Sequence, residues 1–313
     1  MTAARAFTLG CALLAGLTLL ALAVGPQGFG WGDHGSAALL RTPRVLAALA
    51  AGLALGVGGA AQQGIFRNPL ADPGLTGVFG GALFGIALLL GVAPDAAWRH
   101  AWCLPAAAFG GALGVSGLLV VLGAGGSQAR LLLTGLGLNA FAAAGTLVIA
   151  ARSGESRELL TNGAYGDWLG MATLELTWLP ALLCVLAVAA LLPSARALDL
   201  LSFGEDAARA FGCDVGATRR RAVLLTALAA AAATCLVGQV AFIGLLAPHL
   251  ARALAGPRHA LVLPLSGLLG GALLLGADTL GRGAFPSAPL SAAAVTALLG
   301  APLFIWIAGR RHD

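Results

Sequence analysis

Runs of ~17–22 mostly apolar residues follow one another along almost the whole chain, each close to the ~20 residues a helix needs to cross the bilayer core. Such a series cannot be buried in a water-soluble fold. Only 10% of the residues are charged and 59% are hydrophobic, whereas a soluble domain carries about 25% charged residues. Glycine is abundant, at 46 of 313 residues, and aromatic residues make up 6%. Lipid supplies no hydrophobic drive between helices, so small residues that let backbones approach closely take its place. A transmembrane β-barrel would instead show short alternating segments with aromatic girdles. The expected fold is therefore all-α: a polytopic bundle forming one membrane domain over residues 1–313.

The apolar runs cover 6–24, 44–63, 74–92, 102–122, 131–151, 174–192, 222–238, 240–255, 261–280 and 289–308, about ten spans in all. The seventh and eighth are separated only around Gly238-Gln239. The first, Phe7–Val24 after Arg5, is longer than a usual signal-peptide core and reads as a transmembrane helix. All 18 basic residues are arginine, and they decide the orientation. With the N-terminus inside, twelve lie on the inner side (Arg5, Arg67, Arg130, Arg196, Arg209, Arg219, Arg220, Arg221, Arg252, Arg258, Arg310 and Arg311). Six lie outside (Arg41, Arg44, Arg99, Arg152, Arg157 and Arg282), which satisfies the positive-inside bias. Both termini are expected in the cytoplasm. Arginines dispersed between apolar runs are a membrane-topology signal and imply no nucleic-acid partner.

The polar stretch 193–221 differs from the other connections. Ser202 with Glu205 three positions on has the form of a capping box, and Gly212 has the form of a helix stop. These signals predict a short amphipathic helix over about 202–212 on the cytoplasmic side; a plain solvated connector is the alternative. The cysteines Cys11, Cys103, Cys184, Cys213 and Cys235 are isolated, with no CxxC pair, and read as structural. Pro248-His249 reads as a helix kink with a satisfied histidine.

Six stretches fall in an ordered pattern: Arg41-Thr42-Pro43-Arg44, Gln62–Pro73 containing Asn68-Pro69-Leu70-Ala71-Asp72-Pro73, Gly204–Gly212, Gly238–Arg252 containing Pro248-His249, Asp278–Arg282, and Leu299–Ile305. Together they resemble the FecCD family of permeases, the ten-helix subunits of vitamin B12, haem and iron–siderophore importers, over about residues 40–310. Two places depart from the family pattern: Ser287-Ala288-Pro289-Leu290-Ser291 before the last span, and a shortened motif near Trp168.

The resemblance implies roles for particular residues. Arg41, Arg44 and Arg282 would receive acidic residues of an extracytoplasmic substrate-binding protein. From the residues alone, snorkelling to lipid phosphate remains open for them, and Asp278, four positions before Arg282 on the same face, is expected to make an intrahelix or interhelix pair and not a cargo contact. Asn68 and Leu70, with Gln128 and Ala129 in the stretch Ser127–Arg130, would close the cytoplasmic end of the pathway, though plain turns remain the alternative. Gly204, Glu205, Ala208 and Gly212 would belong to a coupling helix that docks on an ATPase. The chain has no Lys and so no GxxxxGK[ST] loop; it is expected not to be an enzyme and to bind no cofactor or metal, with ATP and Mg on two partner ATPase subunits. A second permease subunit, identical or paralogous, completes the expected assembly in the bacterial cytoplasmic membrane. An ion-gradient-driven secondary transporter is the alternative, but it would ordinarily place carboxylates or broken helices at the midplane. An intramembrane enzyme would need a nucleophile–base pair or metal cluster within the spans.

Overall fold

The computed structural model describes residues 2–25, 28–30, 36–93, 95, 100–123, 128–152, 168–284 and 289–309. Its long helices are α1 (Ala3–Ala23), α2 (Ser36–Phe66), α3 (Val78–Val92), α4 (Cys103–Leu122), α5 (Gln128–Ala150) and α6 (Leu174–Leu191). Two short helices, α7 (Ala195–Ser202) and α8 (Glu205–Ala210), interrupt the series. It then continues with α9 (Val215–Val237), α10 (Ile243–Ala255), α11 (His259–Ala284) and α12 (Ala292–Gly309). Leaving out α7 and α8, these helices match the ten expected spans one for one. Among the described residues, seven apolar stretches are long enough to cross a membrane, whereas α3, α10 and the apolar part of α12 are shorter. Among the described residues, extended pairing is confined to a hairpin after α1, in which β1 (Val24–Gly25) runs antiparallel to β2 (Gly28–Phe29).

The centre of the bundle is α2. It has 31 residues, about 46 Å at 1.5 Å per residue, and 78% of its most apolar window is buried. Its neighbour α11 packs backbone against backbone. A Cβ at Gly52 would strike the Gly270 carbonyl, and one at Gly56 the Ser266 carbonyl. The same device joins α3 to α4, where a Cβ at Gly85 would strike the Ala107 carbonyl. Contacts of this kind are how helices gain van der Waals packing where lipid tails are as apolar as leucine. The alanine-rich stretch Ala229–Ala233 of α9 is buried against the same core. In α1, α4 and α5 only 22%, 22% and 11% of the apolar window is buried, so these helices present Leu, Val and Phe outward.

Several expected boundaries change; the seventh span, for one, begins at Val215 and not at 222. The second span begins eight residues earlier than its apolar run, at Ser36, and carries Pro43 inside the helix at the cost of one backbone hydrogen bond. The expected helix 202–212 is two elements. Ser202 ends α7, and its hydroxyl donates to the Asp199 carbonyl at 2.6 Å instead of capping the next helix. Gly204, at φ 111°, then turns the chain into α8.

Candidate docking, gate and coupling sites

Helix ends gather in two sets. At one end, which the arginine distribution assigns to the outside, Asp278 of α11 is fully buried beneath two guanidiniums. Arg44 of α2 donates from Nε and Nη2 to Asp278 Oδ1 at 2.9 and 2.7 Å. Arg282 donates from Nε to Asp278 Oδ2 at 3.0 Å, and from Nη1 and Nη2 to the Val24 and Ala21 carbonyls at 2.6 and 3.4 Å. Arg41 holds the Leu22 and Gly30 carbonyls at 2.8 and 2.9 Å, tying the hairpin to α2. The expected Asp278–Arg282 pair is present. Arg282, expected at a docking surface, has a side chain only 2% exposed and spends its donors inside the protein. Arg44 is 13% exposed, and Arg41 is likewise half-buried. Nearby, Trp168 covers the end of α9, lying 2.8 Å from where a Cβ of Gly238 would stand. Ser291 caps α12 by accepting from the Ala294 N–H, while Ser287 and Ala288 lie outside the described residues.

At the opposite end, α2 stops at a turn that folds back into the protein. Arg67 takes φ 47°, Asn68 Oδ1 accepts from the Leu70 N–H at 2.9 Å, and Leu70 itself is 37% exposed. Asp72 then caps the 3-10 turn Pro73–Thr76 by accepting from the Gly74 N–H at 2.8 Å. This re-entrant segment meets a second one. Between α9 and α10 the chain runs non-helically through 238–242, with Phe242 at φ 69°, and a Cβ on Gly244 would lie 2.7 Å from Pro73 Cδ. Gln63 fastens the junction: Nε2 donates to the Gly244 carbonyl at 3.4 Å, and Oε1 accepts from Arg252 Nη2 at 2.5 Å. Irregular backbone at this depth is tolerated because it is enclosed by protein. Asn68 and Leu70 lie in the turn that leads into this junction, Asn68 bonded within the turn and Leu70 partly exposed. Gln128 and Ala129 begin α5, but their side chains, like Ser127, lie outside the described residues.

The cytoplasmic element is stapled on both sides. Glu205 accepts from Arg209 Nη2 at 2.8 Å and from Arg219 of α9, and Arg209 also pairs with Asp206 at 3.0 Å. Hydrogen bonding from Arg219, aided by the charges of Arg219 and Arg209, holds the Glu205 carboxyl below the usual carboxylate range. Gly212, at φ 78°, ends the element: its N–H donates to the Arg209 carbonyl and that of Cys213 to the Ala208 carbonyl, both at 2.9 Å. This is the paired 6→1 and 5→2 pattern of a Schellman stop. Ala208 is fully buried in the chain's own packing and offers no face to a partner. The outward apolar groups are Phe203 and Phe211, 75% and 72% exposed, one at each end of α8.

Residue-by-residue reading misses the junction of Gln63 with Arg252 and a pair between Asp199 of α7 and His259 of α11. Their partners are distant in sequence, and neither side chain is distinctive by type. The pattern does not stop at single sites, however. Residues 12–310 match the FecCD transport family. The chain belongs to that family. It is 37% identical over 288 residues to the hemin transport system permease protein HmuU of Yersinia pestis, covering 88% of this chain and 83% of that one. It is 39% identical over 279 residues to the vitamin B12 import system permease protein BtuC of Vibrio cholerae, covering 88% and 82%. The fold is similar to a solved metal-chelate type ABC transporter in an inward-facing conformation, with a TM-score of 0.89, 26% identity and coverage of 98% of this chain and 99% of that one. This FecCD protein is thus a multi-pass membrane permease of the ABC-importer kind.

Proposed function

We propose that this permease imports a bulky metal chelate or corrinoid, of the kind haem and vitamin B12 represent, across the bacterial cytoplasmic membrane. In this reading a second permease subunit completes the pathway. An extracytoplasmic binding protein delivers cargo at the end bearing Arg41 and Arg44. Two separate ATPase subunits, carrying ATP and Mg, dock on α8. The observation that carries the ATP-coupled part is the exposure of Phe203 and Phe211 on either side of a short helix that is held to the rest of the chain through Glu205, Arg219 and the Gly212 stop. Large exposed aromatics on a rigid support in an aqueous region are the groups that anchor protein interfaces. The bulk of the cargo is supported by the family and by the named relatives.

The test is Phe211→Glu, alone and with Phe203→Glu, in membranes containing the ATPase partner. Truncating an interface anchor typically costs about 2 kcal/mol or more, so the variants should insert normally yet lose the ATPase in a pull-down and lose uptake of haemin or cyanocobalamin into vesicles. Retention of the ATPase at parental levels would show that α8 is a connector. Ala208→Glu is the wrong probe, because that side chain is enclosed by its own chain.

A further inference from the structure

The two longest helices, α2 and α11, are joined along their length and fastened near both ends. Glycine contacts close the middle. The bidentate Arg44–Asp278 pair closes the outer end. At the inner end, the first residue of α11 is held from outside the bundle. Asp199 Oδ1 accepts from the His259 backbone N–H at 2.9 Å and from its ring Nδ1 at 2.7 Å. One carboxylate oxygen therefore caps the helix and fixes the imidazole together. The His259 side chain is 7% exposed, and its Nε2 is buried with no hydrogen-bond partner among the described residues. That face lies against the last turn of α2, where a Cβ on Gly64 would come within 2.7 Å of Nε2. Asp199 belongs to α7, and only Phe203 and Gly204 separate α7 from α8. The imidazole thus stands where α7, α11 and α2 meet. It is an expensive side chain to bury with an unused nitrogen, and helix capping alone would need no ring.

We propose that Asp199 and His259 are positioning residues that pass movement of the α7–α8 element to the α2–α11 pair, and through it to the arginine cluster at the opposite end. The two helices act as one strut because their backbones are in direct contact at Gly52–Gly270 and Gly56–Ser266, which a slip of one past the other would have to break. A shift of α7 acts on α11 through the carboxylate and on α2 through the ring. Asp278 and Arg282 ride on the far end of α11, and Arg41 and Arg44 on the far end of α2. The outer cluster then changes with the state of the ATPase, as two-state coupling between distant sites requires. The inference rests on α8 being the ATPase dock.

The test reads movement at the outer end without any cargo. Gly30 accepts from Arg41 through its carbonyl and has open space around a substituted Cβ, so Gly30→Cys is a reporter set on the cluster. The permease is purified with its ATPase, and labelling of the cysteine by a soluble maleimide is timed with and without a non-hydrolysable ATP analogue, after subtracting labelling of the chain without the reporter. The nucleotide should change the rate about threefold or more, as a shift between two populated states does. Adding Asp199→Ala should abolish that change while the ATPase stays bound and still hydrolyses ATP. Asp199→Asn, which keeps an acceptor for both His259 donors, should preserve most of it. Gly64→Ala, which displaces the ring from the other side, should blunt it independently of Asp199. Should Asp199→Ala fail to insert, the contrast between Gly64→Ala and Asp199→Asn carries the decision. A nucleotide response that survives both Asp199→Ala and Gly64→Ala overturns the proposal. So does a reporter chain that holds its ATPase yet shows no response, or loss of the ATPase on Asp199→Ala, which would make the pair an assembly contact. A reporter chain that never retains an ATPase instead sinks the docking role of α8.

Discussion

Asp278 faces two guanidiniums in a site from which water is almost excluded, and this sets the energetic hierarchy of the outer cluster. A buried ion pair adds little over a well-packed apolar substitute, but removing one partner leaves charge stranded, at about 3–5 kcal/mol. Asp278→Asn strands Arg282 and Arg44 beside each other and should destabilise the permease by about that much. Adding Arg282→Met removes one stranded charge and should recover part of the loss. Arg41→Ala deletes only hydrogen bonds to two carbonyls and should cost about 1–2 kcal/mol. Thermal unfolding of the purified variants in detergent would rank them. An Arg41→Ala chain as unstable as Asp278→Asn would show that Arg41, not Asp278, organises the cluster. The i,i+4 relation of Asp278 to Arg282 is legible in the sequence. The contribution of Arg44 is not, because its partner lies 234 residues away.

Hydropathy reports elements well where each residue samples the same medium, so all ten expected spans coincide with helices. It fails where backbone conformation decides the outcome. Ser202 and Glu205 have capping-box spacing, yet Ser202 closes the preceding helix and Glu205 is recruited by Arg219, fourteen residues on. Gly212 is legible as a stop because a left-handed helix end leaves a local signature. Ala208 departs from its expected role as a contact face because a one-turn helix gives too few residues for periodicity to say which side is covered. The sequence shows that glycine is abundant but not which glycines are contacts. The structure separates them: a Cβ on Gly59 would strike the Gly244 carbonyl, while one on Gly16 meets nothing within 4 Å. Gly59→Ala should therefore force α2 from the α9–α10 break, an overpacking cost of about 1–3 kcal/mol. It should also lower the yield of folded permease. Gly16→Ala should be neutral or slightly stabilising, since alanine is the better helix former by about 1 kcal/mol. Equal yields and melting behaviour for the two variants would refute the close approach.

At the scale of the whole molecule, two conditions must hold together: a lipid-compatible exterior and an interior that tolerates broken helices. The outward faces of α1, α4 and α5 meet the first, and the close approach of Gly244, just after the 238–242 break, to Pro73 and to α2 meets the second. That division explains why α3 and α10 fall short of a full span. A 13-residue α10 rises about 20 Å, and the non-helical 238–242 segment precedes it. The helix ends alternate accordingly. The cluster around Asp278, the Trp168 turn and the start of α6 share one end; Asp199, Glu205, the arginines of α9 and the Asn68 turn share the other. The arginine excess places the second group in the cytoplasm. Single cysteines at Glu175 and Ser202, both exposed, stand at opposite ends and disturb no helix interior. In intact cells or sealed right-side-out vesicles, an impermeant maleimide should label Glu175→Cys and leave Ser202→Cys unreacted until the membrane is opened. The reverse pattern would invert the bundle and put α8 on the wrong side for an ATPase. Labelling of both sites in sealed vesicles would mean that the chain does not separate these two ends across a membrane at all.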